Sequence, residues 1–215
     1  MIRLARARVV GALALTAVLV SVPARAQVPL TGNDLAAVQQ WIAGLEEYLM
    51  IREQAAGTVP LPRSAPDLRQ VLEARTALAS AIRDRRAGAK IGDLFTFEVR
   101  RTFRKLIAHS IIAHEVVMSD LLAAVRRQIG PGSFRLVVNQ PFPRQLATAP
   151  PSCVLDLLPP LPWELDYRIA DHDLILIDLG SGLVIDILPD ALPRLVTGGV
   201  AGGPSAIPPR SAENE

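Results

Sequence analysis

The chain has 215 residues, 50% hydrophobic but only 4% aromatic, so its core must be built from Leu, Ile, Val and Ala. Its 23 basic and 21 acidic residues give a net charge of +2. Four of the arginines (Arg3, Arg6, Arg8 and Arg25) fall in the first 26 residues, and without them the balance is 19 against 21, net −2. That leaves no electrostatic motive for nucleic-acid binding, and a single cysteine, Cys153, excludes an internal disulfide framework.

Met1–Ala26 reads as a secretory signal peptide. Arg3, Arg6 and Arg8 form its positive start, Val9–Val22 its apolar run, and Ala24-Arg25-Ala26 a small-x-small cleavage site before Gln27. The expected location is the periplasm or the medium, with no membrane span left after cleavage. Residues 27–132 read as a helical region. A first helix is expected from Asp34 to Ala56, with Asn33 as N-cap and Gly57 as stop. Val38, Trp41, Ile42, Leu45, Tyr48 and Leu49 share one face of it. A second helix is expected from Ser64, where Ser64-Ala65-Pro66-Asp67 combines a cap, an early proline and a first-turn acid. Leu68, Val71, Leu72, Leu78 and Ile82 form its apolar stripe. Arg83, Arg85 and Arg86 fill its last turn, either as a solvated end or as an anion or lipid-headgroup site.

After a Thr96 cap, a third and longer helix is expected from Phe97 to Gln128, kinked near Ser119. Phe103, Leu106, Ile107, Ser110, His114, Val117, Met118, Leu121 and Val125 line up on it. His109, His114 and Glu115 form the one metal-like pattern. Metal-binding helices of the H-E-x-x-H type place two His four residues apart; these are five apart and point about 140° away from each other. His114 is therefore expected in the core and His109 at the surface.

Residues 133–163 read as a Pro-rich connector. Phe134–Asn139 is a strand candidate within it, and Ser152–Leu158 is expected either as a brief strand or lying against the helices. Residues 164–193 read as a three-stranded antiparallel β-module with strands Leu165–Ala170, Asp173–Asp178 and Leu183–Leu188. Asp171-His172 supplies the first turn, and Leu179–Gly182 the second, with two glycines available for positive φ. The alternation pairs Tyr167 with Leu176, Ile169 with Leu174, Leu176 with Ile185 and Leu174 with Ile187. One face then collects Leu165, Tyr167, Ile169, Leu174, Leu176, Leu183, Ile185 and Ile187, and should pack on the helices. The other carries Asp166, Arg168, Ile175, Ile177, Val184, Asp186 and Leu188. Residues 194–215 are too rich in Gly, Pro, Ala and Ser to order themselves. The fold class expected is thus α+β: signal peptide, about three helices, Pro-rich connector, small antiparallel module and disordered tail.

Two stretches carry resemblances. GDLFTFEVRRTFRKLI (92–107) and the YR…DLILID…LVIDILPDALP arrangement (167–193) resemble uncharacterised exported proteins of environmental bacteria, which implies the same order of elements and no particular activity. The Tyr167-Arg168 start and the following hairpin are also similar to the C-terminal hairpins of periplasmic nickel–cobalt homeostasis proteins. No His- or Met-rich cluster accompanies the hairpin here, so no metal function is carried over.

The leading expectation is a non-catalytic exported protein with an interaction or envelope-maintenance role and a periplasmic protein as partner. Its interaction face would be Arg168, Ile175, Ile177, Val184, Asp186 and Leu188, unless the Pro-rich segment covers it. The pattern shows no catalytic residue, metal ligand or cofactor-binding residue. Two other readings stand beside it. One is a periplasmic metal or stress sensor built on His109, His114 and His172. The other is a hydrolase centred on Asp171-His172-Asp173, where flanking carboxylates raise a histidine's pKa.

Overall fold

The computed structural model describes residues 28–60, 67–114, 120, 123, 135–143 and 148–192. The expected signal peptide (1–26) and tail (194–215) lie outside the described residues. Helix α1 spans Gly32–Ala56, α2 Leu68–Arg85 and α3 Phe97–Ala113; a single turn, α4, spans Ser152–Leu155. Strands β1 (Leu165–Ala170), β2 (Asp173–Asp178) and β3 (Val184–Leu188) form one antiparallel sheet in the order β1-β2-β3. The α+β class, the helical region and the three-stranded module are therefore as the sequence pattern requires.

The helix ends show where local chemistry outranks composition. Thr31, not Asn33, caps α1, in a reciprocal capping box with Asp34. Asp67, not Ser64, caps α2 by accepting from the Gln70 N–H. The third helix stops at His114, whose φ of −137° and ψ of 49° leave the helical region, so the single helix to Gln128 does not form. Asp34 does more than cap. It accepts from Lys105 Nζ at 2.7 Å and Thr102 Oγ1 at 3.2 Å, tying α1 to α3. Lys105, then the Thr31 N–H and hydroxyl, hold the Asp34 carboxyl well below the usual carboxylate range. Thr96 meets Gln40 while Lys105 meets Pro29, so α3 runs antiparallel to α1.

The helices place Trp41, Leu45, Tyr48, Phe103 and Leu106 against the sheet, and the α2–α3 loop adds Phe95. Trp41 lies 4.7 Å from Phe95, 5.0 Å from Phe103 and 6.3 Å from Tyr167, centroid to centroid. Few aromatics are available, and four of them are concentrated at this junction, where each adds contact energy beyond its buried area. The second helix is only half used. Ala79 and Ile82 are buried, whereas Leu68, Val71 and Leu72, expected in the same stripe, are exposed. Val154 and Leu158 bring the connector into the core through a helical turn, so Ser152–Leu158 is not a strand.

The β1–β2 register is as expected, with Tyr167 opposite Leu176 and Ile169 opposite Leu174. Asp171 adopts a φ of 55°, a left-handed value that Asp tolerates in a tight turn. The β2–β3 register is not as expected. Leu176 faces Asp186 and Leu174 faces Leu188, because an irregularity at Leu176/Ile177 inserts one residue into β3. Ile185 and Asp186 consequently both serve the helix side, Leu188 joins them, and Ile187 turns to the second face. In the β2–β3 loop only Gly182 has positive φ, at 74°. Gly180 serves a different need: the Arg52 guanidinium lies 2.8 Å from where its Cβ would stand.

Both tyrosines of the chain sit in this core. Burial, reinforced by the Asp178 carboxylate, pushes the Tyr48 phenol above its ordinary range, and burial does the same to Tyr167. A raised folded-state pKa keeps the proton on in the native state while the unfolded chain loses it near pH 10. This part of the stability is present below that pH and lost above it. In an alkaline titration, tyrosinate absorbance should appear only together with loss of near-UV circular dichroism; early, reversible ionisation of either tyrosine would contradict this burial.

Candidate functional site

The residues expected to form one interaction face do not share a face. Ile175, Ile177 and Val184 do lie together, but with Ile187 they pack against Val138 and Phe142 of the connector. Ile175 is 0% and Val184 1% exposed, so the connector covers this face. Of the expected strand Phe134–Asn139, Phe134 lies outside the described residues and residues 135–139 form no strand. Its end instead runs beside β3, with the Asn139 N–H donating to Val184 O, the Val184 N–H to Gln140 O and the Phe142 N–H to Gly182 O. Pro141 makes an isolated bridge to Leu183 between these bonds. Arg168 remains half-buried beside Asp166, with which it pairs.

Asp186 and Leu188 are on the helix side, both 0% exposed. Asp186 is bonded entirely by backbone donors. It accepts from the backbone N–H groups of Gly92 (2.8 Å), Leu94 (2.8 Å), Phe95 (2.7 Å) and its neighbour Ile187 (2.7 Å). Burial pushes its carboxyl up, and these four donors oppose the shift. Gly92, at φ 95°, lets the loop turn towards it.

A second buried carboxylate, Asp178, closes β2. It accepts from Tyr48 Oη at 2.9 Å, Arg52 Nε at 2.7 Å and the Ser181 N–H at 2.6 Å. Nearby, Arg86 reaches inward from the end of α2. It donates to Asn139 Oδ1 and Ile185 O and lies over the Tyr48 ring, while Asn139 Nδ2 donates back to Arg86 O. Burial pulls the Arg86 pKa down. This arginine is therefore neither a solvated end nor an anion site; it clasps the connector to the sheet edge.

The histidines do not converge. His114 is the exposed cap of α3, bonded to Ser110 O, and so is not in the core. His109 is half-buried with its Nε2 enclosed and unpartnered, and so is not a surface residue. His172 lies 3.6 Å from Asp171 across the first β-turn, and its Nδ1 is enclosed without a partner. Among the described residues no group of three or more His, Cys, Asp or Glu is placed to hold a metal ion.

What the surface does offer is a set of large apolar side chains. Phe97 is 76%, Ile112 83%, Leu68 74% and Trp163 80% exposed. Arg52 lies over the Trp163 ring at 5.9 Å. On α3 the buried residues are Val99, Thr102, Phe103, Leu106, Ile107 and Ser110. Phe97 and Ile112 are large apolar residues off that stripe, and this was the sequence signal available for them. Comparison with protein-family models, with curated proteins and with solved structures finds no match.

The Asp186 arrangement makes a sharp prediction. Asp186→Ala leaves several buried N–H groups without acceptors and should cost about 3–5 kcal/mol. Asp166→Ala, which removes only a partly exposed ion pair, should cost less than about 1 kcal/mol. Urea unfolding of the two variants checks the contrast; similar losses would contradict the bonding described.

Proposed function

We propose that the chain is an exported, non-catalytic protein with a binding or envelope-maintenance role in the periplasm. Export rests on the Arg-rich start, apolar run and cleavage pattern of Met1–Ala26. One structural observation supports contact over chemistry. The fully buried carboxylates Asp178 and Asp186 are engaged by arginine, tyrosine and backbone donors that hold the fold, while Phe97, Ile112, Leu68 and Trp163 project outward. Covering such side chains on contact with a partner removes apolar surface from water, which is favourable.

Among the described residues no helix is long and apolar enough to cross a membrane. The reading therefore places the folded part outside the bilayer core. Mass spectrometry of the protein recovered from fractionated cells should find a chain beginning at Gln27 in the periplasmic fraction. Deletion of the gene should sensitise cells to detergent, with rescue by the full chain but not by a version lacking residues 1–26. Recovery of the intact Met1 chain from the cytosol, or rescue by the leaderless version, would overturn the proposal.

A further inference from the structure

The second face of the sheet is covered by residues of the connector, not by a helix. Val138 and Phe142 pack on Ile175, Ile177, Val184 and Ile187 in an apolar cluster separate from the main core. Val138 is 7% and Phe142 6% exposed, while Gln140 and Pro141 between them lie at the surface. The buried carboxylates Asp34, Asp178 and Asp186 draw their bonds from the helices, the α2–α3 loop and the sheet itself. The junctions that hold helices to sheet are thus built from residues other than 138–142.

This segment is held as a guest peptide would be. It runs antiparallel to β3 at the outer edge of the sheet. The Asn139 N–H donates to Val184 O at 2.8 Å, the Val184 N–H to Gln140 O at 3.0 Å and the Phe142 N–H to Gly182 O at 2.8 Å. Two apolar side chains four residues apart enter the face. Next to the first, the Asn139 amide donates to Arg86 O at 2.6 Å and accepts from Arg86 Nη1 at 3.0 Å. Asn139 has a φ of 63°, a left-handed value that Asn adopts more readily than most residues. Arg86 is anchored independently of the segment. Its Nη2 donates to Ile185 O at 3.2 Å, and its guanidinium lies over the Tyr48 ring. The receiving groups are the Val184 edge, the apolar face and this fixed arginine, and all belong to the rest of the fold. Strand addition to such an edge takes affinity from main-chain bonds and selectivity from the side chains that enter the face.

We propose that the β3 edge, the second sheet face and Arg86 form a binding groove for an extended protein segment, and that residues 138–142 are its built-in occupant, an autoinhibitory strap. The strap specifies the chemistry of the partner: an apolar side chain, a primary amide beside it, and a second apolar side chain four residues after the first. This deepens the binding role proposed above by giving the kind of partner. A tethered strap competes at an effective concentration of about millimolar. An untethered segment therefore enters where it binds better than the strap or where the strap is weakened.

The test supplies the strap in trans. A fluorescently labelled peptide of Leu136–Pro143 is titrated, with anisotropy as the readout, into the full chain and into two strap variants. Asn139→Ala removes the clasp alone; Val138→Ser with Phe142→Ser removes the apolar anchors. The peptide should half-saturate each variant at a concentration about tenfold or more below that needed for the unaltered chain. A peptide with the same two Ser changes should not bind. In hydrogen exchange the Val184 amide should lose protection in the double variant and regain it with the peptide. The near-UV circular dichroism of the buried Trp41 cluster should be unchanged in both variants. If one variant loses that signal, the other decides. Loss of the signal in both shows the segment to be part of the fold and overturns the proposal. Equal binding to all three proteins, no binding to a folded variant, or a Val184 amide left unprotected with peptide bound also overturns it. Because the assay uses purified protein, its failure is distinct from failure of export in cells.

Discussion

The structure turns on one carboxylate. Asp186 lies in the middle of the last strand, fully buried, yet it binds the loop that joins α2 to α3. An unpaired charge in such a place costs several kcal/mol, so its presence requires the loop to deliver donors to it. Gly92, Leu94 and Phe95 do so with their backbone N–H groups, and a loop that needs acceptors finds them in the sheet. The same contact sets Phe95 against Trp41 and starts α3 at Phe97. It also accounts for the extra residue in β3: without it, Asp186 would face away from the loop that satisfies it.

Asp178 and Asp34 repeat this device elsewhere. Asp178 draws Tyr48 and Arg52 of α1 onto the end of β2, and Asp34 joins the start of α1 to α3 through Lys105 and Thr102. Three carboxylates thus fix three junctions between elements far apart in sequence. The core between them is mostly aliphatic and, by itself, specifies relative placement less sharply than directed bonds do. Polar groups spent in this way serve the fold. What the protein presents outward is a connector-covered sheet, a half-used α2 and an α3 with Phe97 and Ile112 exposed near its ends.

Most of the architecture was legible because it rests on local periodicity. The apolar spacing in α1, the Asp171 turn and the β1–β2 pairing each follow from residues near one another in the chain. The β2–β3 register was not legible. Ile187 and Leu188 are both apolar, so alternation gives no preference between them as the helix-facing residue. The choice is made by Asp186 and a loop some 90 residues away, for which a pattern within β3 holds no signal. Arg86 shows the same limit: its position at a helix end suggests solvent, and only the Asn139 partner reveals a clasp. On the surface, Phe97 and Ile112 were visible as apolar residues off the α3 stripe. The contact of Lys105 with Pro29 depends on how α1 and α3 pack, which no single segment encodes.

Native-state hydrogen exchange tests the central role of Asp186 most directly. If its carboxylate binds the α2–α3 loop to the sheet, the amides of Gly92, Leu94 and Phe95 open only when β2 and β3 open. They should then exchange with the same free energy and the same denaturant dependence as Leu176 and Ile185. Exchange of the three loop amides at the rate of an exposed turn, while the strand amides stay protected, would contradict the account.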